Sequence, residues 1–174
     1  ELDRLNAEVD RLRGSVHNES NSRLQAEDAL NEMRDRLKLA VDAANLALWD
    51  WQVGAQDIFH TARWGEMLGD VAMDGYWPIE ALNKIAHPDD LKRVYGTLGA
   101  LVDGSRERAE CQYRVRTPNG WLWIESHGTI AERDPQGKPT RLMGSHADIS
   151  QRKQAEAHWK QARELAEQAS RLKS

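Results

Sequence analysis

The chain has 174 residues, 30% of them charged, with a formal net charge of −4 at pH 7 and a mean hydropathy of −0.75. This length fits one ordinary domain of about 100–150 residues plus appendages, and the small net charge argues against a dedicated nucleic-acid surface. No apolar run nears the roughly 18–20 residues that span a membrane, no signal peptide opens the chain, and the lone Cys111 excludes an internal disulfide framework.

Residues 1–44 carry a heptad repeat. With Leu2 at a, the a positions are Leu2, Val9, Val16, Arg23, Leu30, Leu37 and Ala44, and the d positions are Leu5, Leu12, Glu19, Ala26, Met33 and Ala40. Eleven of these thirteen are apolar, whereas the intervening positions are dominated by Asp, Glu, Arg and Asn. So narrow a stripe covers little of a globular core but suits the seam of a two-stranded coiled coil. Glu19 and Arg23 interrupt it near Gly14 and Ser20–Ser22, which predicts its weakest part there.

From Leu46 the period changes to two. Trp49, Trp51 and Val53 share one face of a strand, 54–57 makes a hairpin turn, and Ile58-Phe59-His60 begins a second strand. Trp64, Met67 and Leu68 then fall on one side of a short helix stopped by Gly69. Residues 73–77 read as a loop, and Pro78 as a helix start. His87-Pro88-Asp89-Asp90 opens a longer helix, its proline in the first turn and its carboxylates at the positive end of the dipole.

Three strands follow as a meander. Cys111, Tyr113 and Val115 alternate with Gln112, Arg114 and Arg116; Asn119-Gly120 is a hairpin turn; 121–130 returns; and 141–149 is last. This predicts an α+β domain over residues 45–150, a five-stranded antiparallel sheet with short helices on one face, flanked by helical arms at 1–44 and 151–174. The last strand passes directly into the last helix. Ser150 is placed as its N-cap, its hydroxyl accepting from an amide of the first turn, and Asp148 lies just ahead. A helix leaving a sheet this way transmits movement of the sheet. Ala155, His158, Ala162, Leu165, Ala169 and Leu172, at alternating three- and four-residue spacing, form a second, weaker seam.

Five segments in order, L-W-D-W at 48–51, R-W-G-E-M-L-G at 63–69, I-A-H-P-D-D at 85–90, Y-R-V-R-T-P-N-G-W-L-W-I at 113–124 and D-I-S-Q-R-K-Q-A-E at 148–156, resemble the PAS domain with its PAC segment. The resemblance spans about residues 46–156. It implies a sensor fold in which one sheet face and the helices enclose a pocket, while the other face often serves dimer contacts. It also implies that Asp148 and Ile149, matching the family's Asp-Ile-Thr triplet, couple the core to the output helix, with Ser150 a conservative departure. Arg114 or Arg116 is the expected ion-pair partner of Asp148.

The end of the chain looks like the linker before the phosphoacceptor helix of sensor histidine kinases, but no phosphoacceptor motif or ATP-binding box is present. The chain is therefore expected to be a non-catalytic, cytoplasmic piece of a longer kinase, with membrane anchoring elsewhere in the parent left open, relaying its signal to a phosphorelay output. A diguanylate cyclase output, or a ligand-free dimer scaffold, is the alternative. The expected partner is a second copy, paired in parallel through Leu2, Leu5, Val9, Leu12, Val16, Leu30, Met33, Leu37, Leu165 and Leu172.

Seven Trp and six His invite cofactor chemistry. Trp49, Trp51, Trp64, Tyr113, Trp121 and Trp123 are candidates for pocket walls or sheet packing, and packing is the favoured reading. Flavin photochemistry in this family uses a Cys on the mid-domain helices, whereas Cys111 is on a strand. Heme-binding members use a His on the longer helix, and 91–102 has none. His60, His127 and His146 lack ligand spacing. No metal, cofactor or catalytic group is predicted; noncovalent flavin is left open with no residue that supports it, and so is a small-molecule ligand.

Overall fold

The structure, a computed structural model, describes residues 1–172, with the side chains of residues 2, 3, 7, 9, 10, 12 and 172 outside the description. It divides into two units, residues 1–44 and the remainder. The first is one helix, α1 (Leu2–Ala43). Of its predicted seam, Leu5, Val16, Leu30, Met33 and Leu37 are all exposed by 60% or more. The seam positions Leu2, Val9 and Leu12, with Leu172 of the last helix, lie outside the described residues.

The second unit runs β1 (Ala47–Gln52), β2 (Asp57–His60), α2 (Ala62–Leu68), β3 (Gly75–Pro78), a 3-10 turn at Ile79–Ala81, α3 (Leu82–Ile85), α4 (Pro88–Val102), β4 (Arg108–Thr117), β5 (Gly120–Arg133), β6 (Pro139–Asp148) and α5 (Ser150–Leu172). The strands form one antiparallel sheet in the order β3-β2-β1-β6-β5-β4. The sheet has six strands, not the five expected. The stretch read as a loop pairs with β2, Tyr76 opposite Phe59 and Trp77 opposite Ile58. It is a short edge strand ending in Pro78, whose missing N–H is tolerated only there, so it lacked a strand pattern. Among the described residues no helix is long and apolar enough to cross a membrane.

Alternation places the core on the helix-bearing face. Ala47, Trp49 and Trp51 of β1, Cys111, Tyr113 and Val115 of β4, Ile124 of β5 and Leu142 and His146 of β6 are all buried there. One row across the sheet runs His60, Trp49, Gly144, Gly128, Ala109. Its two glycines make room for the Trp49 indole. A methyl on Gly144 would sit 2.5 Å from Trp49 Cζ2, and one on Gly128 3.1 Å from the same atom and 2.7 Å from Leu101. At the end of α2, Gly69 takes the left-handed conformation (φ 75°) that closes the helix.

The His-Pro-Asp-Asp segment does more than start α4. His87 Nδ1 accepts from the Asp89 amide at 3.3 Å, as a cap should, but Asp90 is only 3% exposed and spans to the sheet edge. Its carboxylate accepts from the Arg114 amide at 3.0 Å, from Arg114 Nε at 2.9 Å and Nη2 at 3.1 Å, and from Arg93 at 2.9 Å. The Arg114 carbonyl accepts from the His87 amide. Edge strand β4 is thus sealed by the start of α4 rather than left open for pairing.

The Arg114 hydrogen bond, with lesser help from Arg93, outweighs burial and holds the Asp90 carboxyl down at about 2. Replacing Asp90 with Ala should cost about 2–3 kcal/mol, since a charge-assisted hydrogen bond contributes about 1.5–3 kcal/mol net. With a folded value below the unfolded one, the Asp90 contribution is complete above the ordinary carboxylate range and lost as pH falls from about 4 toward 2. Denaturant titrations of wild type and Asp90→Ala at pH 7 and pH 2 should show the difference shrinking at the lower pH.

Candidate functional site

Two features stand out: a cavity beneath the helices and a junction where the last helix leaves the sheet. The cavity, of about 100 Å³, lies between the inner sheet face, the 79–85 segment and α4. Trp49, Trp64 and Tyr113, which the sequence left between pocket walls and sheet packing with packing favoured, line it. Trp51 is buried but does not line it; it packs with Leu101, Ala109 and Leu142, and its Nε1 donates to the Ala55 carbonyl at 2.9 Å. Trp121 and Trp123 project from the other face, because β5 puts Ile124, Ser126 and Gly128 inward and its odd-numbered residues outward.

The structure brings together two histidines that sequence spacing left apart. His60 ends β2, His146 lies on β6, and their rings stack at 5.6 Å. Trp64 lies 4.4 Å from His146 and 5.2 Å from His60, and Trp49 completes the group 6.1 Å from His146. Burial pushes His60 down to about 4, partly opposed by the Ile58 backbone. Burial, reinforced by His60, drives His146 well below its ordinary value. Both imidazoles are therefore neutral at pH 7. His60 Nδ1, His146 Nδ1 and Trp49 Nε1 are buried without hydrogen-bond partners. Burial also raises Tyr113 above its usual range, Cys111 adding to the effect. Cys111 itself, on β4, is free and lines the cavity.

His127 lies on the opposite face, its ligand atom within 4.8 Å of those of Glu110 and Glu125. Arg152, at 2.5 Å, and Gln112, at 2.7 Å, already occupy Glu125. Burial alone would raise the Glu125 carboxyl, but these donors leave it below its ordinary range. The triad therefore reads as an ion-pair network anchoring α5.

The junction differs from expectation in its bonding. Ser150 is the first residue of α5, and its Oγ accepts from the Trp123 amide on β5 at 3.0 Å, not from the first turn. Asp148 supplies the local cap, accepting from the Ser150 amide at 2.8 Å. The Ile149 amide donates to the Trp123 carbonyl at 2.9 Å. The physical cause is a strand-length mismatch: β5 continues past the last β6 pair, Ile124 with Asp148, so the Trp123 amide and carbonyl need partners from the crossing segment.

The expected Asp148–Arg114 and Asp148–Arg116 pairs are absent among the described residues. Arg114 is held by Asp90, and Arg116 stacks on Trp121 at 5.1 Å. Arg114 does reach the junction by another route, lying 5.3 Å from the centre of the Trp123 ring, with Lys153 of α5 at 5.1 Å from the same ring. Asp90, which no sequence pattern marked beyond capping, and Trp123 are thus the residues that join the cavity-lining helix α4 to the base of α5.

The neutral histidine pair has a consequence for stability. Both native values are depressed, so below about pH 6.5 the unfolded chain takes up protons the fold refuses. Stability should fall with pH between about 6.5 and 4, with a limiting slope of about 1.4 kcal/mol per unit for each histidine. Denaturant titrations across this range should show the slope in wild type and a flatter one in His60→Leu and His146→Leu.

A family profile described as PAS fold matches residues 57–146, just over half of the chain. A sensory box histidine kinase/response regulator from Burkholderia thailandensis is similar in structure, with a TM-score of 0.64 and 28% identity over 76% of this chain and 98% of that one. The domain of a light and redox sensing histidine kinase from Haloarcula marismortui shares the fold, with a TM-score of 0.50 and 21% identity over 67% and 99% of the two chains. Among curated relatives, the hybrid signal transduction histidine kinase A of Dictyostelium discoideum is 38% identical over 53 residues, and a methyl sulfide methyltransferase-associated sensor of Methanosarcina acetivorans 33% over 72. Those segments are 30% and 41% of this chain, and only 2% and 7% of the relatives. The chain belongs to the PAS-fold family of sensor domains found in signalling proteins.

Proposed function

We propose that this PAS domain is a cytoplasmic sensory and dimerisation module of a sensor histidine kinase, passing a signal from its core through Asp148, Ile149 and Ser150 into α5 and on to a kinase output. The observation that carries this reading is the junction. The base of α5 is held by the Ser150 and Ile149 bonds to Trp123, by Arg152 on Glu125 and by Lys153 over Trp123. The same Trp123 ring faces Arg114, which Asp90 ties to the helix lining the cavity. A change in the cavity that shifts α4 therefore alters the seat of α5. This is a coupling through packed, charge-assisted contacts and needs no mobile loop.

The exposed stripe of α1 supports pairing with a second copy. Leu5, Val16, Leu30, Met33 and Leu37 expose their apolar area at a/d spacing, and Leu165 of α5 is 59% exposed. A parallel dimer buries these positions and brings two output domains side by side. Similarity to proteins described as histidine kinases favours a kinase as that output.

The test joins residues 1–174 in frame to the phosphoacceptor and ATP-binding core of a sensor histidine kinase. The fusion should sediment as a dimer at micromolar concentration and autophosphorylate. Ser150→Ala should retain the dimer and change the autophosphorylation rate several-fold, because one hydrogen bond of about 1 kcal/mol biases a two-state equilibrium about fivefold. A monomeric fusion contradicts the pairing. An unchanged rate in Ser150→Ala contradicts the relay, and activity only when a cyclase core replaces the kinase contradicts the output.

A further inference from the structure

We propose that the cavity beneath the helices is a binding site for a small, uncharged, apolar molecule, smaller than a benzene ring. This inference rests on the sensory reading above and names the chemistry of its signal.

Size sets the upper limit. The cavity is about 100 Å³, whereas an apolar protein cavity that holds benzene has about 150 Å³. Scaled by volume, the guest has about four non-hydrogen atoms or fewer. The space is nonetheless substantial. One water needs only about 10–15 Å³, and close-packed interiors seldom leave more.

Polarity sets the class. Aspartate, glutamate, lysine and arginine are all missing from the residues lining the cavity, and both histidines there are neutral at pH 7. An ion would lose its hydration and meet no counter-charge. The unpartnered nitrogens Trp49 Nε1, His60 Nδ1 and His146 Nδ1 are sealed within the packing, so they offer a guest no hydrogen bond. Thr97 already donates to the Arg93 carbonyl at 2.9 Å. Much of the wall is hydrocarbon, from Ile58, Ile79, Leu82, Ile85, Val94 and Leu101. Few polar groups remain, chiefly the hydroxyls of Tyr113 and Ser126. Filling the space with water would take about three molecules, each seeking about three hydrogen bonds. Two hydroxyls fall short of that demand, and an apolar guest makes none.

Position sets the consequence. Exposed Pro78 and half-buried Ile79, Leu82 and Leu98 place the mouth between the 79–85 segment and α4. Val94, Leu98 and Leu101 of α4 form one wall, and α4 is the helix that Asp90 ties to Arg114. A guest that fills the cavity therefore bears on the element from which the proposed relay starts.

The experiment uses the 174-residue chain labelled with nitrogen-15 at its seven tryptophans, whose indole N–H signals are followed by NMR at neutral pH. Trp49, Trp64 and Trp77 line the cavity, whereas Trp51, Trp121, Trp123 and Trp159 do not. Trp49→Phe, Trp64→Phe and Trp77→Phe assign the lining signals by their loss. Xenon, propane, benzene and acetate are titrated in turn. Xenon and propane should shift the lining signals saturably and leave the other four in place. Benzene should bind roughly tenfold more weakly than propane, because it overfills the site, and acetate should give no saturable shift. Val94→Phe, which fills the cavity from α4, should lower propane affinity roughly tenfold while the four reference signals report that the fold persists. Leu98→Phe makes the same comparison from the mouth. Absence of a saturable shift with both xenon and propane overturns the inference, as does a shift shared equally by all seven tryptophans. Benzene binding as tightly as propane overturns the size limit, and saturable acetate binding overturns the charge limit. Full propane affinity in both filled variants overturns the location. Failure here is distinct from failure of the kinase relay, because the Ser150→Ala comparison is made without added ligand.

Discussion

Asp90 keeps its charge at a site with 3% exposure, and much of the arrangement of the domain follows from how that charge is held. A buried carboxylate needs donors from several directions. α4 supplies Arg93 from its next turn, and edge strand β4 supplies both the amide and the guanidinium of Arg114. One side chain thereby fixes the start of the longest core helix, closes an exposed strand edge and orients Arg114 toward Trp123. It also explains why Arg114 does not serve Asp148, since its fork is already filled.

The opposite end of the same architecture depends on small residues. Trp49 can lie across β6 and β5 because Gly144 and Gly128 leave no side chain beneath it. The indole then meets His146, and β2 brings His60 and α2 brings Trp64 against the same ring group. The histidines are neutral because they are packed among rings, and so the cavity they line carries aromatic surface without net charge. Cavity and junction lie on opposite faces of the sheet, with α4 and Arg114 running between them around its β4 edge.

The sequence made much of this legible where the signal was local. Period-two alternation marked Trp49 and Trp51 and the β4 to β6 meander, Gly69 marked a helix end, and the heptads marked α1. What escaped depended on distant pairing. The strand Gly75–Pro78 is an edge strand defined by its partner β2, and its Pro argued against it. His60 and His146 meet only because β1 lies between β2 and β6 in the sheet. Ser150 has the residue type of an N-cap, yet a longer neighbouring strand claims its hydroxyl, and Asp148 caps in its place. Asp90 looked like a helix-dipole residue, and nothing nearby in sequence indicated that its partner stood 24 positions away. The seam of α1 belongs to another kind of legibility: its a/d spacing is plain in the sequence, and its apolar side chains Leu5, Val16, Leu30, Met33 and Leu37 are exposed in the single chain.

In the relay proposed above, α4 and the base of α5 are coupled through Asp90, Arg114 and Trp123. Residue-resolved amide hydrogen exchange of wild type and Asp90→Ala tests it most directly. Loss of Asp90 should speed exchange roughly tenfold or more at the Trp123 and Ile149 amides, whose bonds cross the junction, while the Trp51 and Leu142 amides of the central strands keep their protection. Faster exchange confined to α4 and β4, with Trp123 and Ile149 unchanged, would contradict it.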